Sequence, residues 1–516
     1  MVGVHRPYAS KQPTTRRPGA TMRHTLLNEH DDLLAHLLDE AQRQQVYVIA
    51  RLQRVAGRSV TAVNGRVEGV TATLTEGLGM HVFDREGHTA FAATDRLTPT
   101  DTEEALRAAI AGLRAAAAAG LERNPAIFEV EPLHAEVVPP GVEPIDALSL
   151  EQVQGLVEAL NHETRRLGHA LSVRTLFHID RETWRIVRSD GTDVRYLLPH
   201  GYCVNSITAR QHGATHTVNA SLARTGYSVL REERTRLMAR TVTAAETAQR
   251  LIGAPRYPAG AYPIVMDYAM AKGLAHEAFG HAAETDGLRS SILGRDGVFR
   301  RGERLAAPGV TIIDEPLVGD HAYQPFSPNG LPRTSTTIMR DGVLEEALAD
   351  LFSAQRAGTR VIDAARAQHY GAVPVPRMTN IRIELPQAYE LSGDFEEQTP
   401  ERVRAALINA GLLRAGQPVI YLAGYKGGQV STARGDFVFN CAALWELSVE
   451  DVRLFQPAIF SGQTEAALQA IRAGFGPLQL DAMGFCGKAG QSVPSSGGSH
   501  YFLYLEPHPA VRVGGR

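Results

Sequence analysis

Residues 267–287 read DYAMAKGLAHEAFGHAAETDG. The stretch contains His276, Glu277 and His281, which offer two imidazole nitrogens and a carboxylate. These are the groups needed to hold a metal ion and to activate water on it. Asp267 is a residue type that caps helix N-termini, and Gly287 is one that follows helix C-termini. The stretch is therefore predicted to form one helix that carries a candidate metal site.

The spacing of the two histidines predicts a distorted helix. They stand five residues apart, whereas the common zinc-protease motif places them four apart. On a regular helix of 3.6 residues per turn, five residues separate two side chains by about 140°. For His276 and His281 to share a metal, the helix must widen locally, as in a π-bulge, and Gly280 tolerates such a distortion. The alternative is a regular helix with two unrelated histidines. A third ligand is needed to favour the metal site over this alternative.

A candidate third ligand lies in residues 483–494, MGFCGKAGQSVP, at Cys486. Gly484 and Gly487 let the backbone approach another group closely, and Lys488 offers a cation that favours the thiolate. Two imidazoles and one thiolate leave one position of a tetrahedral zinc open for water, as in catalytic zinc sites. The alternative is that Cys486 is a small buried apolar residue.

Several further segments carry a resemblance to a known family. The chain resembles the TldD/PmbA family of modulators of gyrase function, and within it the catalytic TldD-like branch, because the partner-type PmbA/TldE branch usually lacks the histidine motif. One departure is Phe485, where many relatives have a small polar residue, and another is the N-terminal extension. The matching segments are HEAFGHAAETD at 276–286, FCGKAGQSVP at 485–494, the final VRVGG, NGRVEGVTATLTEGLGMHVF at 64–83, RMTN at 377–380 and GGQVSTARGDF at 427–437.

The resemblance implies a zinc metallopeptidase. It implies that His276, His281 and Cys486 bind Zn²⁺ and that Glu277 is the general base. It also implies an active site inside a β-rich C-terminal domain, reached by unfolded or extended peptide. Because the family often works as a pair of TldD-like and PmbA-like chains, a PmbA/TldE-like second subunit is expected, with a homodimer as the alternative.

Four other residues are candidates for supporting or substrate-contacting roles. Glu284 follows His281 by three residues, on the same face of a regular helix, so it can orient the imidazole. The alternative for Glu284 is a solvated acid. Lys488 stands beside Cys486, as described above. Arg377 and Asn380 belong to the RMTN motif and are expected to contact substrate, since loops often carry function.

Composition describes an ordinary globular protein. The 516 residues are 44% hydrophobic and 21% charged, with a formal net charge of −3, which gives no reason to expect nucleic-acid or membrane partners. Three cysteines do not suggest a disulfide framework and fit a reducing, cytoplasmic compartment. No run of eighteen apolar residues predicts a transmembrane helix.

The predicted fold class is α+β. A disordered basic tail is expected over residues 1–22, a mixed α/β N-terminal domain over 23–255, and a β-rich, barrel-like domain with the metal helix over 256–516. Prolines at 255, 258 and 263 mark the boundary between the two domains. The N-terminal half has no βαβ repeat, so no nucleotide-binding fold is expected.

Local signals predict the element boundaries. Asn64-Gly65 is the strongest short hairpin signal. Capping boxes at 100–103 (TDTE) and 149–152 (SLEQ) open two helices, and a further helix is expected over 241–253. Thr399 followed by Pro400 opens another helix.

These observations predict metal-assisted hydrolysis of peptide bonds in unfolded or small peptides. Glu277 would take a proton from the attacking water and later pass it to the leaving amine. One alternative is a tailoring hydrolase that acts on a single biosynthetic peptide. Another is a non-catalytic peptide-binding subunit of a TldD/PmbA-type complex, although a purely structural metal site has no need of Glu277.

Overall fold

Long antiparallel strands build the first of two large sheets. The computed structural model of the chain describes residues 26–168, 170–211 and 213–514, and the predicted tail 1–22 lies outside them. The hairpin at Asn64-Gly65 is confirmed, because both residues have positive φ, 49° and 87°, and they join the first two strands. The strands run in the order β3-β2-β1-β5-β6-β4, with β7 also paired to β6. They are β1 (Tyr47–Val63), β2 (Arg66–Phe83), β3 (Thr89–Thr94), β4 (His134–Val137), β5 (Leu171–Arg188), β6 (Asp193–Gln211) and β7 (Ala214–Arg224).

Helices cover one face of this sheet. Val48, Ala50 and Leu52 alternate along β1 and pack, with no exposed surface, against the first two helices. The capping box at 149–152 is confirmed, whereas the box predicted at 100–103 is wrong, because Thr98 accepts the capping hydrogen bond and Pro99 begins the helix. The fourth helix, predicted over 241–253, runs over Arg234–Arg250. Its start was not predicted because no side chain caps it. The helices are α1 (Asp31–Arg43), α2 (Pro99–Ala118), α3 (Leu150–Arg165) and α4 (Arg234–Arg250).

The other face of the first sheet packs against the second half of the chain. Ile49 and Trp184 point to this face and contact a cluster that contains Tyr323, Phe326 and Leu351. The two halves therefore share a buried apolar interface.

The second sheet has fourteen strands and holds the candidate site. Its main path is β13-β12-β11-β16-β24-β8-β18-β19-β21-β25, and over the described residues it does not close into a barrel. Mixed α+β architecture is thus confirmed, with an open sheet in place of a closed one. The strands of the second half are β8 (Ile264–Asp267), β9 (Gly294–Arg295), β10 (Val298–Phe299), β11 (Thr311–Glu315), β12 (Thr336–Arg340), β13 (Val343–Leu344), β14 (Ala365–Arg366), β15 (Val375–Pro376), β16 (Asn380–Glu384), β17 (Ala388–Tyr389), β18 (Val419–Ser431), β19 (Asp436–Leu447), β20 (Val452–Phe455), β21 (Ile459–Gln463), β22 (Ile471–Gln479), β23 (Gly484–Lys488), β24 (Gln491–Leu505) and β25 (Val511–Val513). Of these, β9–β10 and β14–β15 form separate two-stranded pairs.

Helical segments of the second half are short. Thr399 caps α6 through its side chain with Pro400 at the first helical position, so that prediction is confirmed. No helix in the described part of the chain is long and apolar enough to cross a bilayer. The α-helices are α5 (Tyr268–Gly273), α6 (Pro400–Asn409) and α7 (Thr464–Ala470), and the 3-10 segments of the chain are Asn28–His30, Pro125–Glu129, Tyr227–Leu230, His281–Ala283, Thr285–Ser290 and Phe395–Glu397.

Candidate metal centre

The helix that carries the two histidines begins at a buried aspartate. Asp267 Oδ1 accepts a hydrogen bond from the backbone N–H of Met270 at 2.9 Å, and its Oδ2 accepts one from Gly424 N–H at 2.6 Å. The predicted N-cap is therefore confirmed. The predicted end at Gly287 is wrong: the backbone turns extended at Glu284 (φ −72°, ψ 123°), and Gly287 lies in a separate 3-10 segment.

A π-helical segment separates the two histidines. After α5 the chain forms a π-helix over Leu274–Gly280, and His281 N–H bonds to the carbonyl of His276. In a π-helix this bond joins residues five apart, so the two histidines stand one turn from each other. The predicted widening of the helix is confirmed.

Gly280 fits this segment for a steric reason. Its φ of −59° is ordinary for a helix, so conformational freedom is not what the position requires. A Cβ at residue 280 would lie 2.1 Å from Met378 Sδ and 3.0 Å from Ile381 Cδ1. Glycine therefore lets the helix pack closely against strand β16 and the residues before it.

The structure brings the three candidate ligands together. One donor atom each from His276, His281 and Cys486 lies within 4.8 Å of the other two, and His281 Nε2 is 3.5 Å from Cys486 Sγ. A tetrahedral zinc with bonds of about 2.0–2.3 Å separates neighbouring ligand atoms by roughly 3.3–3.8 Å. Neither ring nitrogen of the fully buried His276 has a hydrogen-bond partner among the described residues. A buried polar group without a partner is costly, and a metal ion would satisfy one of the two nitrogens. The donor set thus fits Zn²⁺, and its role as a ligand set stays a prediction.

A carboxylate and a lysine orient the second histidine. Glu284 Oε2 lies 3.0 Å from His281 Nδ1, which directs Nε2 towards Cys486. The same oxygen accepts a hydrogen bond from Lys488 Nζ at 2.8 Å, and Lys488 also bonds to Asp286 at 2.7 Å. Glu284 is only 3% exposed, so the solvated alternative is wrong. Carboxylates in this position fix the tautomer and orientation of metal-binding histidines.

The cation beside Cys486 is Arg377. Its Nε lies 3.4 Å from Cys486 Sγ, and its Nη2 donates to the Cys486 carbonyl. Lys488, the cation suggested by sequence proximity, is instead bound to the two carboxylates described above. Arg377 is fully buried, so it supports the cysteine strand and does not face an open substrate surface.

Burial and charge set the protonation of the three groups. Burial, reinforced by Lys272 and His281, holds the pKa of His276 well below its ordinary value, so its imidazole is neutral. Burial alone lowers the pKa of His281, but Glu284 and the Cys486 thiol more than offset this and raise it well above the ordinary value. Burial alone raises the pKa of Cys486, yet His281 and Arg377 lower it overall. The cysteine is therefore prepared to act as a thiolate.

Glu277 and Asn380 occupy different surroundings. The Glu277 side chain is 25% exposed and its Oε2 lies 3.7 Å from His281 Nε2, so its carboxylate is next to the candidate ligands and accessible to water. Asn380 is fully buried and donates from Nδ2 to the Leu480 carbonyl at 2.8 Å. This hydrogen bond joins β16 to the 480 region, and no described side-chain hydrogen bond of Asn380 reaches a candidate ligand.

Sequence reasoning missed Lys272, which lies one helical turn before His276. Its side chain is 5% exposed, and Nζ is 3.3 Å from Ser495 Oγ. A signal was present, because Lys272 is the one charged residue in the otherwise apolar run AMAKGLA at 269–275.

Comparisons with known proteins agree with the fold and the position of the site. A family model described as PmbA/TldA metallopeptidase C-terminal domain matches residues 259–486, and one described as PmbA/TldA metallopeptidase domain 1 matches residues 48–118. Together they cover more than half of the chain. The chain belongs to the TldD/PmbA family. The matched C-terminal range contains the helix histidines and ends at Cys486.

Individual relatives of this family are distant in sequence. A metalloprotease of Archaeoglobus fulgidus is 32% identical over 49% of this chain and 54% of its own length. A protein of Saccharolobus solfataricus named zinc metalloprotease TldD homolog is 28% identical over 47% of this chain and 50% of its own length. The chain thus spans about half of the length of these relatives. The crystal structure of TldE from Thermococcus kodakarensis has the same fold, with a TM-score of 0.71 at 12% identity, covering 94% of this chain and all of that one.

Proposed function

We propose that the chain is a zinc-dependent metallopeptidase that hydrolyses peptide bonds in unfolded or small peptides. The observation that supports this most is the convergence of His276, His281 and Cys486 within 4.8 Å, with Glu277 beside them. The names of the relatives, metalloprotease and zinc metalloprotease, agree with it.

Each residue has a separate task in the proposed reaction. His276, His281 and Cys486 would hold the zinc, which when bound supplies a Lewis acid for the scissile carbonyl and the attacking water. Glu277, partly open to solvent, takes the proton from the water and passes it to the leaving amine. Glu284 and Lys488 keep the His281 ring in place. Because His276 and Cys486 are buried, an extended chain would reach them more readily than a folded domain.

The test is zinc content together with peptidase activity. Wild type is expected to bind about one zinc per chain, and Cys486→Ser to lose most of it. Glu277→Gln should retain the zinc and lose activity against an unstructured peptide by a factor of about 10²–10⁴. Wild-type protein that binds no zinc after reconstitution, or a Glu277→Gln variant as active as wild type, would contradict the proposal.

A non-catalytic peptide-binding subunit is the second candidate, because the fold is shared with TldE. The same Glu277→Gln experiment separates the two, since a subunit without catalysis shows no activity to lose. A tailoring hydrolase for one peptide is separated by substrate range: it would cut one sequence among many unrelated unstructured peptides.

Assembly is proposed to involve a TldE-like second subunit, with a homodimer as the alternative. The likeness to TldE supports a related partner chain. Light scattering on the purified chain, alone and with a TldE-like chain from the same source, distinguishes a homodimer from a mixed complex.

A further inference from the structure

Lys272 is a buried ammonium group that makes no salt bridge to a carboxylate of the described residues. It lies near the end of α5, and it is 5% exposed. Its Nζ donates to Ser495 Oγ at 3.3 Å, and no carboxylate oxygen of the described chain lies within 4.0 Å of it. Burying a cation without a counter-charge is costly, so this position calls for an anionic group.

The ammonium borders a cavity of about 430 Å³ between α4 and the strands that support the metal helix. Most of the lining is apolar. The cavity is beside the candidate metal centre: its lining includes Lys272 and Met483, three residues before Cys486, but none of the three candidate ligands. The apolar lining residues include Val204, Ala220, Ala244, Tyr421 and Trp445.

The other charged groups of the lining have partners. Arg240 bonds to Glu396 at 2.7 Å and to Asp481 at 3.0 Å. Asp267 accepts two backbone hydrogen bonds. Among the described lining residues, Lys272 is therefore the cation that lacks a carboxylate.

Two observations connect this cation with the metal centre. Lys272 and His276 are four residues apart, so they lie on nearly the same helix face. Tyr425 lines the cavity, packs over Gly273, and has a pKa raised by burial and by the charge of Glu277. The cavity thus approaches both a candidate ligand and the proposed base.

We propose that Lys272 binds a carboxylate of the peptide substrate, one or two residues from the bond that is cut. Lys272 lies one helical turn, about 5.4 Å, from the candidate ligand His276, and an extended peptide advances about 3.3 Å per residue. The carboxylate and the scissile bond are therefore separated by one or two residues. The carboxylate is the C-terminal group of a short peptide or an acidic side chain. Burial lowers the pKa of Lys272 overall, although the charges of Glu277, Cys486 and Asp320 act in the opposite direction. A bound carboxylate would keep the ammonium protonated. This inference rests on the proposed peptidase function.

Substrate pairs test the inference on the wild-type enzyme. Unstructured peptides of three to six residues are compared as free acids and as C-terminal amides, and amidated peptides are compared with Glu or Gln at each position. We expect one of the two series to show at least a tenfold higher KM for the uncharged member, which identifies the source of the carboxylate. Equal KM values in both series would overturn the inference while leaving the peptidase function intact.

Variants test the residue itself. Lys272→Met should remove the preference for the charged substrate, mainly through KM, and leave zinc content unchanged. Lys426→Met is the matched control, because Lys426 is an exposed lysine that bonds to the Thr217 carbonyl, and it should keep the preference. A Lys272→Met enzyme that retains the full preference would overturn the inference. If Lys272→Met does not fold, the substrate pairs decide.

A binding measurement separates this inference from the peptidase proposal. Calorimetric titration of the zinc-loaded wild-type chain compares an acetylated dipeptide acid with its amide and an amidated Glu peptide with its Gln counterpart. Tighter binding of a charged member, lost in Lys272→Met, supports the carboxylate site even if no peptide is cut. Equal binding of charged and uncharged members overturns it, whatever the activity.

Discussion

The backbone N–H of His281 donates to the carbonyl of His276, five residues earlier. In a regular helix, side chains five residues apart point in different directions. The π-helical bond places the two imidazoles on one side of the helix. Their ring centroids are 5.1 Å apart and the ring planes are perpendicular. The geometry of the candidate site therefore depends on one π-helical segment, and several predictions concern the residues that keep it in place.

Replacing Gly280 with alanine should destabilise the protein. The added Cβ would lie 2.1 Å from Met378 Sδ in a fully buried contact, and overpacking of this kind costs about 1–3 kcal/mol. Thermal unfolding and zinc content are the measurements. Gly287→Ala is the control, because a Cβ there meets no atom within 4 Å. In a Met378→Ala background the cost of Gly280→Ala should fall, and an unchanged cost would show that this contact is not the cause.

Replacing Glu284 with glutamine should weaken zinc binding. The substitution removes the charge that bridges His281 and Lys488, and such changes typically cost 10–100-fold in metal affinity. Competition with a fluorescent zinc chelator measures the affinity. Asp286→Asn is the control, because Asp286 contacts Lys488 without a described bond to His281. Equal losses in the two variants would speak against a specific effect on His281.

Cys486 should ionise before the other two cysteines in metal-free protein. Its pKa is lowered by His281 and Arg377 despite the opposing effect of burial, whereas burial raises the pKa of Cys203 to about 12 and that of Cys441 to about 11. Thiolate absorbance is followed against pH for wild type and for Cys486→Ser, and the difference between the two curves isolates Cys486. Arg377→Met should move this step to higher pH. A step at the ordinary thiol pKa in wild type would contradict the prediction.

The contribution of Asp267 to stability should fall as the pH rises from about 4 to 7. Burial, partly opposed by the backbone N–H groups of Met270 and Gly424, raises the pKa of Asp267 to about 6, against about 3.9 in the unfolded chain. Between these values the folded protein binds more protons than the unfolded chain, so its unfolding free energy decreases with pH. The change is roughly 2–3 kcal/mol. Urea midpoints of wild type and Asp267→Asn, compared at each pH, measure it, and a constant difference would refute the shift.

Much of the site could be predicted from local sequence. The five-residue spacing of His276 and His281 required a widened helix, and Asp267 and Ser149 were identified as caps because capping depends on a few neighbouring residues. Predictions failed where tertiary packing decides. Gly287 does not end the helix, because the helix already ends before Glu284, and Glu284 forms a β-bridge with Leu348. The first capping box was predicted two residues too late. Both Thr98 and Thr100 fit the pattern, and Thr98 is the residue that caps the helix.

The chemistry can be read from the sequence alone: two imidazoles, a carboxylate and a thiolate, with a spacing that suits a metal only in a distorted helix. Which groups surround them depends on the tertiary fold. Cys486 is 205 residues from His281, and pairing of β23 with β24 carries its thiol to the helix. Arg377 reaches Cys486 and Lys488 reaches Glu284 because strands distant in sequence meet there. In the same region Lys272 bonds to Ser495 and makes no salt bridge with the described residues. Local sequence patterns predict the backbone conformation of a residue. The burial of its side chain and the charges around it depend on the packing of the whole chain.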